Sequence, residues 1–337
     1  MKKSILIVFF LFISGYLVAQ DVHYSQFYAA PLSLNPSNAG LIKGKFRVGL
    51  NSKSQWSSVT KPYQNISAYF DMQYLKRKYR KDAFGIGVVL DADIAGDSKF
   101  STISTGVALS YIKSFSRKNN NFFSVGLMPS LVQRSINFSK LYYDNQYNGS
   151  QYDPTIDPGE QFNRRNFLYF DLAVGMQWYY QFSRKTIYNA GLTISHITRP
   201  KMSFMDNKEI KLDAKYTLYG QASYSVGNDL DLNPSMLLSF QGPYAEVILG
   251  TLLKYNRSTQ YRNYTAINLG LYMRYADALI VVAGFDYYNI NFGVSYDINL
   301  SRLKPASKVR GGFELSVNYI FNRNKYVRKK ETPCPIF

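Results

Sequence analysis

Residues 44–321 repeatedly alternate polar and apolar side chains, and helical spacing never persists there beyond about two turns. Lys45-Phe46-Arg47-Val48-Gly49-Leu50-Asn51 shows the habit clearly, as does most of Asn65-Ile66-Ser67-Ala68-Tyr69-Phe70. It divides the chain into fourteen expected strands, at 44–52, 63–73, 82–92, 100–113, 121–137, 165–180, 186–198, 214–227, 231–241, 244–254, 263–274, 277–286, 289–299 and 308–321. An even number of strands brings both ends of a closed barrel to one side, and strands of roughly nine to eleven residues cross a bilayer when tilted. Gly85, Gly87, Gly106, Gly126, Gly175, Gly191, Gly270, Gly284 and Gly293 fall inside these segments. They would weaken an ordinary sheet, but they relieve curvature or admit close backbone approach in a barrel wall. The fold class expected is all-β, a transmembrane antiparallel barrel of 14 strands; a soluble all-β sandwich with bulges is the alternative.

Two features favour the membrane. Lys2 and Lys3 precede an apolar run from Ile5 to Ile13, and Ala19 offers a small residue before Gln20. This is the signature of a secretory signal, with cleavage expected between Ala19 and Gln20. The chain also holds 30 tyrosines and 23 phenylalanines. Lipid-facing strands need apolar groups, and rings such as Tyr suit the interfaces. The expected organisation is a signal peptide at 1–19, a periplasmic or lumen-facing segment at 20–43, a barrel at 44–321 and a periplasmic tail at 322–337. The pairs Pro31-Leu32 and Asn35-Pro36 predict an extended, turn-rich start with no helix, since a residue before proline avoids the helical region.

If the first strand rises from the periplasm, its turns carry much of the net charge of +18. One turn alone holds Lys76, Arg77, Lys78, Arg80 and Lys81. This basic rim would attract an acidic partner or anionic head groups; solubilising short turns explains it equally well. The opposite side would carry the longer loops 52–62, 138–164, 199–213 and 300–307. Trp56, Tyr142, Tyr143, Tyr147 and Tyr152 are candidate partner-binding anchors there, with Asp153 and Asp157 to steer approach.

Chemistry is sparse. His23 and His196 are the only histidines and Cys334 the only cysteine, so neither a disulfide framework nor a His/Cys metal cluster is expected. No nucleophile elbow, phosphate loop or nucleic-acid motif occurs. Ser195 and His196 would face opposite ways in a strand, which leaves His196 an ordinary hydrogen bond at a strand end. Asp91 and Asp93 read as loop anchors. The expectation is a non-enzymatic protein without cofactor, metal or nucleic-acid partner.

The ends carry a resemblance. Tyr24-Ser25-Gln26-Phe27, Pro31-Leu32, Asn35-Pro36 and Ala39-Gly40 are followed by Gln55-Trp56, Gly85-x-Gly87, Asp91 and Gly96. Then come Ser295-Tyr296-Asp297-x-Asn299, Gly311-Gly312-x-Glu314-x-Ser316 and Cys334-Pro335-x-Phe337. In this order they resemble the PorP/SprF family of Bacteroidota outer membrane proteins, associated with type IX secretion and gliding motility. Gln26, Phe27, Pro31, Asn35, Pro36 and Gly40 form its N-terminal motif, and Cys334, Pro335 and Phe337 its C-terminal one. The resemblance implies a barrel that assists secretion and anchors a secreted adhesin through its type B C-terminal domain. Implied partners are that adhesin, the secretion or gliding machinery, and the lipid bilayer with its lipopolysaccharide. The other readings are a porin or hydrophobic-ligand transporter, and a structural link to the periplasmic machinery.

Overall fold

The structure, a computed structural model, describes residues 23–55, 61–76, 82–116, 120–159, 164–204, 209–258, 264–301 and 310–321. The expected signal peptide and tail, Trp56, Arg77, Lys78, Arg80, Lys81, Cys334, Pro335 and Phe337 lie outside these residues.

Fourteen strands close into one antiparallel barrel, each paired with its neighbours in chain order. They are β1 (Phe46–Gln55), β2 (Tyr63–Lys76), β3 (Ala83–Ala95), β4 (Phe100–Ser114), β5 (Asn121–Ser135), β6 (Asn166–Gln181), β7 (Thr186–Ser195), β8 (Lys215–Val226), β9 (Leu230–Gln241), β10 (Tyr244–Ser258), β11 (Thr265–Arg274), β12 (Ala278–Tyr287), β13 (Ile290–Asn299) and β14 (Arg310–Phe321). Closure joins β1 to β14 from Phe46↔Phe321 to Gln55↔Gly312. No edge strand is left to pair with another chain.

Several strands outrun their expected ends: β1 reaches Gln55 rather than residue 52, β3 reaches Ala95 rather than 92, and β10 reaches Ser258 rather than 254. Polar positions beyond the expected end, such as Lys53, are strand because the inward positions of this barrel are polar. Lys53 lies buried in the lumen. β7 instead stops early, at Ser195, where His196 takes a left-handed φ of 58°.

Alternation sorts the two faces. Along β1, Arg47, Asn51 and Lys53 are buried inside, whereas Val48 and Leu50 are exposed outside. The outward face carries an aliphatic belt, with Val88, Leu90, Val107, Leu109, Val125 and Leu127 among its members. Aromatic rings flank it. At the rim holding the ends of β1 and β14, here the terminal rim, Phe46 stacks on Phe321 at 4.2 Å and Trp178 on Tyr180 at 5.7 Å. Tyr216, Phe240, Tyr275 and Phe313 are exposed near the opposite loop rim. An apolar band between two girdles is the surface a bilayer requires. The abundance of Tyr and Phe thus has a structural use.

The start of the chain departs from expectation. Residues 23–45 lie inside the barrel, and three short helical turns form at Phe27–Ala29, Pro31–Leu34 and Pro36–Asn38. Both prolines sit at the first position of a turn, where their fixed φ suits a helix and their missing N–H costs nothing. The extended residue expected before proline is present at Asn35, with φ −158° and ψ 120°.

Candidate functional site

Residues 23–45, called the plug below, cross the lumen and lead into β1 at the terminal rim. Asn35 shows how its sequence makes its shape. Its carboxamide oxygen accepts from Ser37 N–H at 2.9 Å, capping the next turn. Its amide group donates outward to the Met176 carbonyl of β6 at 3.0 Å and to the Tyr219 hydroxyl of β8 at 3.2 Å. Gly40 then takes φ +70°, a left-handed position suited to glycine, and reverses the chain toward β1.

The wall grips this plug all round. Thr193 of β7 donates to Leu34 O at 3.0 Å, Ser124 of β5 to Ser37 O at 2.8 Å, and Ser110 of β4 to Ala39 O at 2.6 Å. Asp71 of β2 accepts from Gly40 N–H at 2.8 Å and pairs with buried Arg47 of β1 at 2.9 Å. Two strand glycines mark the seats. A Cβ at Gly85 would stand 2.0 Å from Ala39 O, and one at Gly175 would stand 2.0 Å from Asn35 Oδ1. Close backbone approach, one of the roles the sequence left open for these glycines, is seen at Gly85, whereas Gly175 makes room for the Asn35 side chain.

The first plug residues are held by charge. Glu314 of β14 accepts from the backbone N–H groups of Ser25 at 2.7 Å and Gln26 at 3.0 Å. The Ser25 hydroxyl donates to Asp297 of β13 at 2.7 Å. It accepts from Lys53 of β1 and Arg274 of β11, both at 2.9 Å. Arg274 and Lys53 also pair with Asp297, at 3.1 and 3.3 Å. Gln26 spans to Ser295 at 3.2 Å and accepts from Ser316 at 2.9 Å. Charges removed from water survive only when paired and hydrogen-bonded; Lys53 and Arg274 meet that condition on Asp297, and Glu314 is held by three hydrogen bonds, from Ser25, Gln26 and Asn51.

The motifs scattered along the sequence therefore meet at one interface. Gln26 reaches Ser295 and Ser316, Gly40 reaches the β2–β3 wall, and Leu32 lies against Gly87. Phe27 joins a buried apolar cluster with Tyr219, Tyr272 and Ile280, and Pro31 and Pro36 are buried where they start their turns. Asp91, read as a loop anchor, instead accepts from the plug hydroxyl of Ser33 at 3.2 Å, and Asp93 accepts from Asn65 at 2.6 Å. Sequence reasoning missed Lys53, Asp71, Tyr219 and Arg274. Charged or amphipathic side chains at inward strand positions were the available signal. His196 makes an ordinary contact, its Nδ1 lying 2.7 Å from Asp171 Oδ2.

The loop rim is organised differently. Tyr142 packs edge-on against Tyr152 at 4.6 Å, and Tyr147 and Tyr152 form an isolated antiparallel bridge. Tyr142 is 78% exposed and Tyr147 60%, while Tyr143 is half-buried and donates to Phe138 O at 3.4 Å. Asp153 and Asp157 shape turns in the loop itself. Asp153 accepts from Thr155 N–H at 2.9 Å and its hydroxyl at 2.6 Å, and Asp157 accepts from Gly159 N–H at 2.9 Å. The Thr155 hydroxyl, then its backbone N–H, holds the Asp153 carboxyl below the usual range. Phe204 ties this loop to the next by packing on Phe138 and, more closely, on Phe167 at 4.9 Å. At the terminal rim, Lys76 is the last residue of β2. The structure thus gathers the N-terminal motif residues on the wall, and Tyr142, Tyr143, Tyr147, Tyr152, Asp153 and Asp157 within one loop.

Solved barrels share this architecture. The toluene transporter TbuX of Ralstonia pickettii superposes with a TM-score of 0.53 at 9% identity, covering 86% of this chain and 93% of its own. The toluene transporter TodX of Pseudomonas putida gives 0.51 at 10%, over 88% and 93%. The monoaromatic hydrocarbon channel CymD gives 0.50 at 10%, over 87% and 93%. At such identity the likeness is one of fold, a closed antiparallel barrel of the outer-membrane kind. No curated protein matches the chain. The family pattern described as type IX secretion system membrane protein PorP/SprF matches residues 17–319, nearly the whole chain. With its lipid-facing belt and its motif residues joined at the plug, the chain belongs to the PorP/SprF family, outer membrane proteins of the type IX secretion system in Gram-negative bacteria.

Proposed function

We propose that this barrel is a non-enzymatic anchor, holding a secreted adhesin at the cell surface through the adhesin's type B C-terminal domain. The loop rim would face outward and carry the contact, while the terminal rim, with its basic turns, would face the periplasm and the secretion or gliding machinery. One observation carries the reading. The lumen is occupied by a plug bonded to the wall on almost every side, while the 136–165 loop builds its own fold and leaves Tyr142 and Tyr147 uncovered. Exposed aromatics on a pre-ordered platform bind at little conformational cost.

The experiment is retention of the partner by native and loop-shortened barrels. Purification in mild detergent followed by mass spectrometry should recover a large exported protein with the native chain. Shortening residues 138–164 should leave the barrel inserted and lose that protein. Equal recovery from both forms would remove the loop from the contact.

A further inference from the structure

The two sides of the plug are sealed in different ways. Toward β2–β6 the seal is backbone against backbone, at Ala39 on Gly85 and Ser37 on Gly126, backed by the Asp71–Arg47 pair. Toward β8–β12 it consists of side chains alone. Phe27 and Tyr28 meet Tyr272 there, with ring centroids 6.4 and 6.1 Å away. Leu237, Ile248, Ile280 and Val282 complete the apolar layer.

That layer separates two recesses, each lined by a mixture of polar and apolar groups. One, of about 180 Å³, opens on the loop-rim side and is lined by Asp91, Asp171, Thr217 and Ser239, with Phe27 and Leu237 at its floor. The other, of about 390 Å³, opens on the terminal-rim side and is lined by Asn189, Gln221, Asn233, Asn291 and Asn318, with Tyr28 and Val282 at its roof. Members of a single apolar cluster therefore face both recesses. In the lower recess Lys254 pairs with Asp286, and Asp231 accepts a hydrogen bond from the Asn256 amide at 2.8 Å. The Asn189 amide nitrogen is buried there without a hydrogen-bond partner.

We infer that the barrel holds a closed conduit joining these two recesses past the β8–β10 wall, gated by Phe27 and Tyr28, for small polar solutes and hydrated ions. A narrow apolar constriction between two wet compartments blocks water and ions by dewetting, and a modest shift of its side chains suffices to wet it. The plug need not leave, because Ser25 and Gln26 on one side of the gate and Asn35 to Gly40 on the other stay bonded to the wall. The amides, hydroxyls and charged groups below the gate offer both donors and acceptors to a polar solute or a hydration shell. This goes beyond anchoring: a barrel closed at rest becomes a passage when its aromatic gate moves.

The test is single-channel recording in planar bilayers with potassium chloride as the probe. Native barrels should be silent. The double variant Phe27→Ala/Tyr28→Ala should conduct, with current rising roughly tenfold or more over the native leak. Tyr272→Ala thins the same layer from the wall with every plug residue intact and keeps the test informative if the double variant fails to insert. Leu32→Ala, on the backbone-sealed side, should stay silent. Inserted gate variants that remain silent, or Leu32→Ala conducting as well as they do, would overturn the gate. Neither result bears on whether the loop rim retains an adhesin.

Discussion

The plug interface and the 136–165 loop solve opposite problems. In the plug, partners lie hundreds of residues apart, as with Ser25 and Glu314, and the ionic groups that join them are 0–5% exposed. Among the described residues of the loop nearly every hydrogen bond is local, as with Asp153 to Thr155 and Tyr147 to Gly149, and Tyr142 and Tyr147 face solvent. The first region spends its polar groups on permanence. The second uses them to hold its own shape and leaves its apolar faces free. Removing one member of a buried charge cluster costs about 3–5 kcal/mol, whereas most surface substitutions stay within about 0.5 kcal/mol. Function that depends on the plug should therefore fail together with stability, and function that depends on the loop should fail without it.

The strongest way to break this comparison is Gly85→Val. A Cβ there meets the Ala39 carbonyl, a backbone atom with no rotamer to escape into, so the plug should leave its seat. Limited proteolysis should then cut residues 23–45 in a barrel that still migrates as folded; native resistance would show that the seat is not needed. Next comes Glu314→Ala, which strips an acceptor from two backbone N–H groups and a buried counter-charge from the Lys53 cluster. The expected loss is about 3–5 kcal/mol, read from urea unfolding of the barrel in lipid.

On the other side of the comparison, Tyr142→Ala with Tyr147→Ala should leave that unfolding midpoint unchanged. Partner affinity should fall by roughly tenfold or more, as at an aromatic hot spot. A fall in stability instead would mean that the rings support the loop rather than the partner. The smallest effect concerns Asp153. Its folded carboxyl titrates below the ordinary value, so the turn's support is complete above that value and is lost as pH falls through the lowered one. The Thr155 amide resonance should stay put down to about pH 5 and move only in stronger acid. A midpoint at the ordinary aspartate value would show that the turn hydrogen bonds do not favour the charged form.

Strand number and order were legible because alternation is a local signal: fourteen segments expected and fourteen seen, with ends differing by a few residues. Two of the strands that outrun their expected ends share one cause. Lys53 and Asn256 read as loop from their polarity, whereas both occupy inward, buried strand positions. The helical turns of residues 27–38 were missed because each is only three or four residues long, too short for periodicity to show. The N-terminal motif was visible as spelling, yet its partners at Ser295, Glu314 and Ser316 stand at the far end of the chain.

What the amino-acid sequence determined by itself was the barrel: export, strand count, an apolar outer belt and aromatic girdles, each set by short-range pattern and the demands of a bilayer. Only the tertiary structure decided what fills the lumen. That choice depends on pairings such as Lys53 with Asp297 and Asn35 with Tyr219, which exist only once closure brings distant strands around one axis. A long-range pairing leaves no periodic trace in either of the segments it joins, and so it becomes readable only in three dimensions.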